Sequence, residues 1–223
     1  MGTGPVTFTE AIGPRARAAL RDAAVRRSWP AGSVLFHEGE PATHVVIVDR
    51  GTVKIVTTSP SGVEAVLALR GPGEVLGELS AIDGSVRSAA AVATEPVTAL
   101  VLPASAFRAF LDAHASAAVA LLELLASRLR ELSRQRAEFG SYDATARLAH
   151  LLAELADTYG EPTGDGDEIE LRVLSQDEIA SFCGASREAV ARGLRALRDA
   201  GVVSTGRRVV TISDIDRLRT WDA

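Results

Sequence analysis

A single cysteine among 223 residues rules out a disulfide framework. It also rules out a zinc or iron–sulfur site built from several cysteines of this chain. The four histidines, His37, His44, His114 and His150, are scattered, and no two stand at metal-ligand spacing. No nucleophile, base and orienting group assemble in the sequence, so neither metal nor enzymatic chemistry is expected. No apolar run approaches the roughly 20 residues needed to span a bilayer. The segment MGTGPVTFTEAIGPR lacks the apolar stretch of a secretory signal. These absences point to a cytoplasmic, reduced protein with no membrane partner. An excess of positive charge is missing too: 24 Lys+Arg stand against 29 Asp+Glu, a formal charge of −5. That argues against a protein that coats nucleic acid over its whole surface, but leaves room for a local basic site.

What is present is a globular composition, 47% hydrophobic and 24% charged, in a chain long enough for one large domain or two small ones. Residues 28–102 are rich in glycine and valine. Within them Ser33–Phe36, His44–Val48, Thr52–Thr57, Ala65–Leu69 and Pro96–Leu102 read as short strands. Turn signals separate them, such as Glu38-Gly39-Glu40-Pro41, Ser59-Pro60-Ser61-Gly62 and Gly71-Pro72-Gly73. Short strands at regular spacing with glycine turns predict a small β-barrel or sandwich. Ahead of it, Pro14–Arg27 reads as a short basic helix.

Residues 103–139 change character: alanine and leucine dominate, and the pattern is that of one long helix. Ala115, Ala118, Leu122, Leu125, Leu129, Leu132, Arg136 and Phe139 follow a 3,4,3,4 rhythm, a heptad seam. A helix this long cannot bury the whole seam against one small barrel, so its distal half reads as a dimer interface. The alternative is an intramolecular core stripe. Gly140-Ser141 ends the helix, and Asp143 is placed to cap another that runs to about Tyr159. An acidic loop, Gly160–Glu170, precedes a helical pattern over Leu174–Gly201. Val202–Ile212 then reads as two strands around Thr205-Gly206-Arg207, and Asp214–Trp221 as a last turn of helix.

The helical pattern is a pair. Ser175-Gln176-Asp177-Glu178 has the form of a capping box and starts a helix with Ile179, Phe182 and Cys183 inward. Gly184 ends it, Ser186 caps a second helix, and Gly201 follows that one as its left-handed terminator. Two short helices joined by a tight glycine turn make a helix-turn-helix. On the second, Val190, Leu194 and Leu197 form a core stripe, while Arg187, Glu188, Ala191, Arg192 and Arg195 share the other face. Arginine forks fit guanine O6 and N7, glutamate accepts from the cytosine amino group, and a small alanine permits close approach to a major groove. Ser186–Arg208 carries six arginines against two acids, although residues 141–223 carry 10 against 15. The positive charge is therefore focused. Arg207-Arg208 would add phosphate contacts from a hairpin wing. The plainer reading is a solvated charged face.

A second constellation lies in the β region. Gly73-Glu74-Val75-Leu76-Gly77-Glu78-Leu79-Ser80 leads to Arg87-Ser88-Ala89. Gly77 permits a tight backbone, so the N–H groups of Gly77 to Leu79 can converge on an anion. Arg87 supplies positive charge, Ser88 a hydroxyl and an amide, and Glu78 an acceptor for sugar hydroxyls. The set suits one small molecule carrying a phosphate and a ribose.

On these two motifs, in this order, nearly the whole chain resembles bacterial transcription regulators of the catabolite activator protein and fumarate–nitrate regulator (CRP/FNR) type. Gly77-Glu78-Leu79-Ser80 with Arg87-Ser88-Ala89 resembles the family's phosphate-binding cassette. Ala185-Ser186-Arg187-Glu188-Ala189-Val190-Ala191-Arg192 resembles its recognition helix. The resemblance implies an α+β fold: a cyclic-nucleotide-binding β-roll over residues 1–114, a dimerisation helix over 115–140, and a winged helix-turn-helix over 141–223. It implies that Arg87 and Ser88 hold a cyclic phosphate with backbone help from Gly77, Leu79 and Ala89, and that Glu78 binds the ribose 2′-hydroxyl. Family members that bind cyclic AMP place a Thr-Ser or Thr-Asn pair on the central helix against the base. This chain has Leu132-Ser133, so one of the two hydroxyls is absent. The implied DNA-binding set is Ser175, Asp177, Ser186, Arg187, Glu188, Ala189, Arg192, Arg207 and Arg208. The function so implied is a homodimeric regulator of transcription. It would be controlled by cyclic AMP as an allosteric ligand rather than a cofactor. It would read palindromic TGTGA-like half-sites in double-stranded DNA and contact RNA polymerase. Two alternatives stand beside it: a ligand-independent member with a degenerate pocket, and a nucleotide-sensing regulatory subunit that does not bind DNA. Cys183 reads as core.

Overall fold

The computed structural model describes residues 6–58, 64–163, 168–171, 175–206 and 209–222. The described chain forms two compact units, one over residues 6–130 and one from Glu131 onward.

In the first unit, α1 (Phe8–Ala11) and α2 (Pro14–Asp22) lead into β1 (Val25–Trp29), β2 (Val34–Phe36), β3 (His44–Arg50), β4 (Val53–Thr58) and β5 (Glu64–Arg70). Then come β6 (Val75–Leu76), α3 (Glu78–Asp83), β7 (Ala90–Ala93), β8 (Val97–Pro103), α4 (Ala104–Ala113) and the start of α5 (Ala115–Ser141). The strands form two antiparallel four-stranded sheets, ordered β1-β8-β3-β6 and β2-β7-β4-β5. β3 shows why a sandwich results. Val45 and Ile47 point to one core with Phe8, Leu20, Leu102, Phe107 and Leu121, under the helices. Val46 and Val48 point to the other, between the sheets, with Phe36, Val53, Leu76 and Val101. A strand buried on both faces reads as a continuous apolar run, as VVIV does.

Two expectations change here. The helix read over Pro14–Arg27 stops at Asp22, because Val25–Trp29 pairs antiparallel with β8 as an edge strand. The single helix read over 103–139 is two, α4 and α5, bent by 112° at His114. His114 leaves the helical region (φ −131°, ψ 80°). Its Nδ1 hydrogen-bonds the Phe110 carbonyl at 2.9 Å, its ring stacks on Phe110, and its own carbonyl accepts the Ala117 amide. After the bend, α5 lays Ala117, Ala120 and Leu121 on the β-roll core, with Leu124 and Leu125 partly buried beside them. Val119, Leu122, Leu129 and Leu132 stay exposed. The seam is thus divided: Leu125 leans on the core while Leu122, Leu129 and Leu132 stay largely exposed. The side chains of Arg136 and Phe139 lie outside the described residues. The helical backbone continues through Gly140 to Ser141, one residue past the expected break.

In the second unit, Asp143 caps α6 (Ala144–Tyr159), its carboxylate accepting the amides of Thr145 and Ala146. The loop expected over Gly160–Glu170 carries two strands, β9 (Glu161–Thr163) and β10 (Glu168–Leu171). They pair with each other, and β10 pairs with β12. Their acidic sequence conceals Ile169 and Leu171, which alternate with the acids toward the unit's core. α7 (Gln176–Phe182) and α8 (Arg187–Asp199) follow, then β11 (Val203–Gly206), β12 (Val209–Ile212) and α9 (Ile215–Arg219). The sheet order β11-β12-β10-β9 makes a wing beside the helix pair. Arg207 and Arg208, which follow β11 in the sequence, lie outside the described residues.

Candidate nucleotide pocket and nucleic-acid interface

Gly77 sits between β6 and α3 with φ +74°, a left-handed conformation that glycine adopts without cost. Its bare Cα also lets a guanidinium close in, since a Cβ built there would lie 2.9 Å from Arg87 Cζ. Arg87 is 2% exposed. Its Nη1 donates to Gly77 O at 2.8 Å and Ser80 Oγ at 3.1 Å, and its Nη2 donates to the His44 carbonyl. On the other side, Cζ lies 4.4 Å from the centroid of the Phe36 ring. A desolvated cation–π contact of this kind is worth about 2 kcal/mol. Burial pulls the Arg87 pKa below the ordinary arginine value, against the opposing pull of Glu78 and Glu40. Burial and the same guanidinium hold His44 below its ordinary value. Among the described residues no carboxylate pairs directly with Arg87, and its buried Nε has no acceptor. A buried cation held by neutral acceptors alone is an expensive arrangement that an anion would relieve.

Glu78, 4% exposed, opens α3 and accepts Arg128 Nη1 at 2.6 Å from α5. Arg128 Nη2 donates to Val75 O at 3.2 Å and approaches Glu74 at 3.4 Å, and Arg70 Nε lies 3.4 Å from the same Glu74 oxygen. Arg70 and Arg128 therefore share Glu74, and Arg128 alone of the arginines pairs with Glu78 at short range among the described residues. Leu79 and Ser88 are exposed, and Ala89 is buried next to β7. The structure therefore brings Gly77, Glu78 and Arg87 together, with Leu79, Ser88 and Ala89 adjacent in the chain. Leu132 and Ser133 stand exposed on the part of α5 that belongs to the second unit. Arg128 and Phe36 were missed at the sequence level. Arg128 was legible only as a charge off the seam, and Phe36 as one more apolar strand residue.

In the second unit the capping box forms as expected: Ser175 Oγ accepts the Glu178 amide, and Glu178 accepts from the Ser175 amide and hydroxyl. Gly184 (φ +57°) then turns the chain, with its amide on Ser181 O and the Ala185 amide on Ala180 O. Both bonds are those of a Schellman terminus, and α8 ends in the same way at Gly201. Ser186 accepts the Ala189 amide and starts α8. Val190, Leu194 and Leu197 are fully buried. Gly193 lets α8 close on α6, since a Cβ there would stand 2.9 Å from Leu148 Cδ2. That packing turns Arg187, Glu188, Arg192 and Arg195 outward, all exposed, with Ala189 and Ala191 half-buried between them. Arg187 Nε lies 3.4 Å from Asp177 Oδ1 across the turn, both side chains exposed. The row holds three guanidinium forks, Arg187, Arg192 and Arg195, and one carboxylate, Glu188, all open to solvent. Cys183 is buried, and its thiol is pushed up to about 12 by that burial.

Residues 26–114 match the family described as Cyclic nucleotide-binding domain, and residues 146–221 match the Crp-like helix-turn-helix domain. A CRP-like cAMP-activated global transcriptional regulator of Mycobacterium tuberculosis is 34% identical over 212 residues, 94% of this chain and 93% of that protein. The chain belongs to the CRP/FNR family of transcription regulators. A Cyclic AMP receptor protein of Thermus thermophilus is 35% identical to this family member over 85% of this chain and 84% of its own length. The solved structure of FixK2 from Bradyrhizobium japonicum superposes with a TM-score of 0.77 at 25% identity, covering 90% of this chain and 98% of the other. The family fold is the one the resemblance implied: a cyclic-nucleotide-binding β domain, a long helix and a helix-turn-helix domain. The helix pair is its DNA-binding element.

Proposed function

We propose that this CRP/FNR family member is a homodimeric, cytoplasmic regulator whose binding to inverted-repeat DNA is controlled by cyclic AMP. Three segments divide the work: residues 1–114 hold the nucleotide, 115–140 pair two copies, and 141–223 read DNA. The observation that carries the ligand reading is Arg87. It is a buried cation whose Nε has no acceptor and which, among the described residues, pairs directly with no carboxylate. A cyclic nucleotide is a monoanion at its phosphate and gives the buried guanidinium a charged acceptor. Arg87 and Ser88 take the phosphate with the backbone of Gly77, Leu79 and Ala89, and Glu78 takes the ribose 2′-hydroxyl. Because Glu78 already holds Arg128, a ligand there acts directly on α5. Leu122, Leu129 and Leu132 form the pairing stripe, and Ser133 meets the base.

On α8, Arg187, Glu188 and Arg192 read half-sites resembling TGTGA. Asp177 positions Arg187, Ser175 and Ser186 hold the helix starts, and Ala189 permits close approach. Arg207 and Arg208 add phosphate contacts, and a surface of the regulator meets RNA polymerase. A second reading, ligand-independent DNA binding, is favoured by one observation: Leu132 lacks the hydroxyl that cyclic-AMP-binding members place there. The reading as a regulatory subunit that does not bind DNA has lost its footing with the helix-turn-helix match.

Isothermal titration with cyclic AMP and cyclic GMP, paired with footprinting on a duplex selected from random sequence, separates these readings. Cyclic AMP control requires saturable binding by the parent, none by Arg87→Leu, and a footprint that strengthens with nucleotide. An identical footprint with and without nucleotide supports the second reading.

A further inference from the structure

The turn between α7 and α8 is tied to a distant stretch of the chain. Arg147, one turn into α6, reaches it. Its Nε donates to Cys183 O at 3.1 Å, and its Nη1 donates to Tyr142 O at 2.7 Å. Cys183 is the C-cap of α7, so its carbonyl lies at the negative end of that helix, where a guanidinium is favoured. Tyr142 comes immediately after α5 and immediately before Asp143, the cap of α6. Its ring is held as well, edge-on to His150 with centroids 4.7 Å apart. One planar fork therefore joins the exit of α5 to the turn that aims Arg187. A guanidinium can serve both carbonyls at once because its donors are fixed in a plane; a lysine ammonium is a single point on a flexible stem.

The Schellman bonds at Gly184 fix the shape of the turn. Its seat on the rest of the unit rests on buried side chains such as Ile179, Ala180, Cys183 and Val190, and this strap adds a polar tie to the chain that leaves α5. We propose that Arg147 is a positioning residue for DNA recognition, strapping the α7–α8 turn to the segment that leaves α5 so that the aim of the α8 arginines follows the end of α5. This deepens the reading in which Arg187 and Arg192 contact bases, and rests on it. Arg147 itself is half-buried on α6, outside the exposed row of α8. Its loss should therefore cost selective binding more than non-selective binding.

Cys183, the sole cysteine of the chain, is a native reporter on the strapped turn. It is 4% exposed, and a thiol reagent reaches it only when the turn opens. Full-length parent, Arg147→Met and Arg147→Lys are compared by labelling rate with a disulfide reagent, by thermal unfolding, and by fluorescence anisotropy. The anisotropy measurements use a duplex selected from random sequence and an unselected duplex. For folded Arg147→Met, labelling is expected about 10-fold faster and selected-duplex affinity about 10-fold weaker, the change that follows from roughly 1.4 kcal/mol. Unselected-duplex affinity should fall by less than about 2-fold. Arg147→Lys, which keeps charge and bulk, should fall between and serves in its place if Arg147→Met does not fold. Labelling at the parent rate overturns the inference, as does undiminished preference for the selected duplex. A parent that prefers no duplex instead overturns the DNA reading, while the labelling rates still decide whether the strap exists.

Discussion

Gly77 and Arg87 constrain each other. The left-handed backbone of Gly77 opens α3, and its missing side chain leaves the floor on which the Arg87 guanidinium lies. Gly77→Ala puts an L side chain in the left-handed region, at about 1–2 kcal/mol, and a methyl group against Arg87. A lower thermal midpoint and weakened or lost nucleotide binding are expected, by calorimetry on the full chain. His44 gives a pH dependence of known sign. Burial and the Arg87 charge depress its folded pKa below the ordinary 6.5, so the unfolded chain binds more protons in that range. The stability contributed by neutral His44 is complete above pH 6.5 and is lost as pH falls through the folded value. Chemical denaturation of the parent should show a lower midpoint at pH 5.5 than at pH 7, with a smaller drop in His44→Gln.

Among the elements, α5 faces two ways. One side lays Ala117, Ala120 and Leu121 on the β-roll, and Arg128 reaches from it to Glu78. The other leaves Leu122, Leu129 and Leu132 between 57% and 66% exposed, a stripe that a second copy of the same helix would cover. The parent is expected to sediment as a dimer and Leu129→Glu as a folded monomer, because the substituted side chain is 66% exposed in the single chain. Analytical ultracentrifugation measures this, and a dimeric Leu129→Glu would move the interface elsewhere. α7 and α8 are the opposite case, built almost entirely by local signals. Ser175→Ala removes the hydroxyl half of a capping box and should cost about 1 kcal/mol, read as reduced amide protection across α7 by hydrogen exchange.

For the whole molecule, a ligand that binds the folded chain alone must raise its apparent stability. Cyclic AMP at about 100 times its Kd should add roughly 2.7 kcal/mol to the β-roll, seen as an upward shift in its thermal transition. Arg87→Leu should show no shift. Much of this molecule was legible from residue order. The helix pair, its caps at Ser175, Ser186 and Gly201, the core stripe of Val190, Leu194 and Leu197, and the exposed Arg187 row depend on neighbours within four positions, so the sequence determines them. So do the strands that alternate between glycine turns. What only the tertiary structure decided came from partners far apart in the chain. Val25–Trp29 becomes a strand because β8, some 70 residues on, offers an edge. The acidic stretch after Tyr159 becomes β9 and β10 because β12 pairs with it. The long helix breaks at His114, and beyond the bend α5 lays Ala117, Ala120 and Leu121 on the core. Arg128 joins the Glu78 cluster across 50 residues, and Arg147 reaches Cys183 across 36. Local hydrogen bonding and periodicity are written along the chain; the burial of charge against charge, and of one element against another, exists only once the chain has closed on itself.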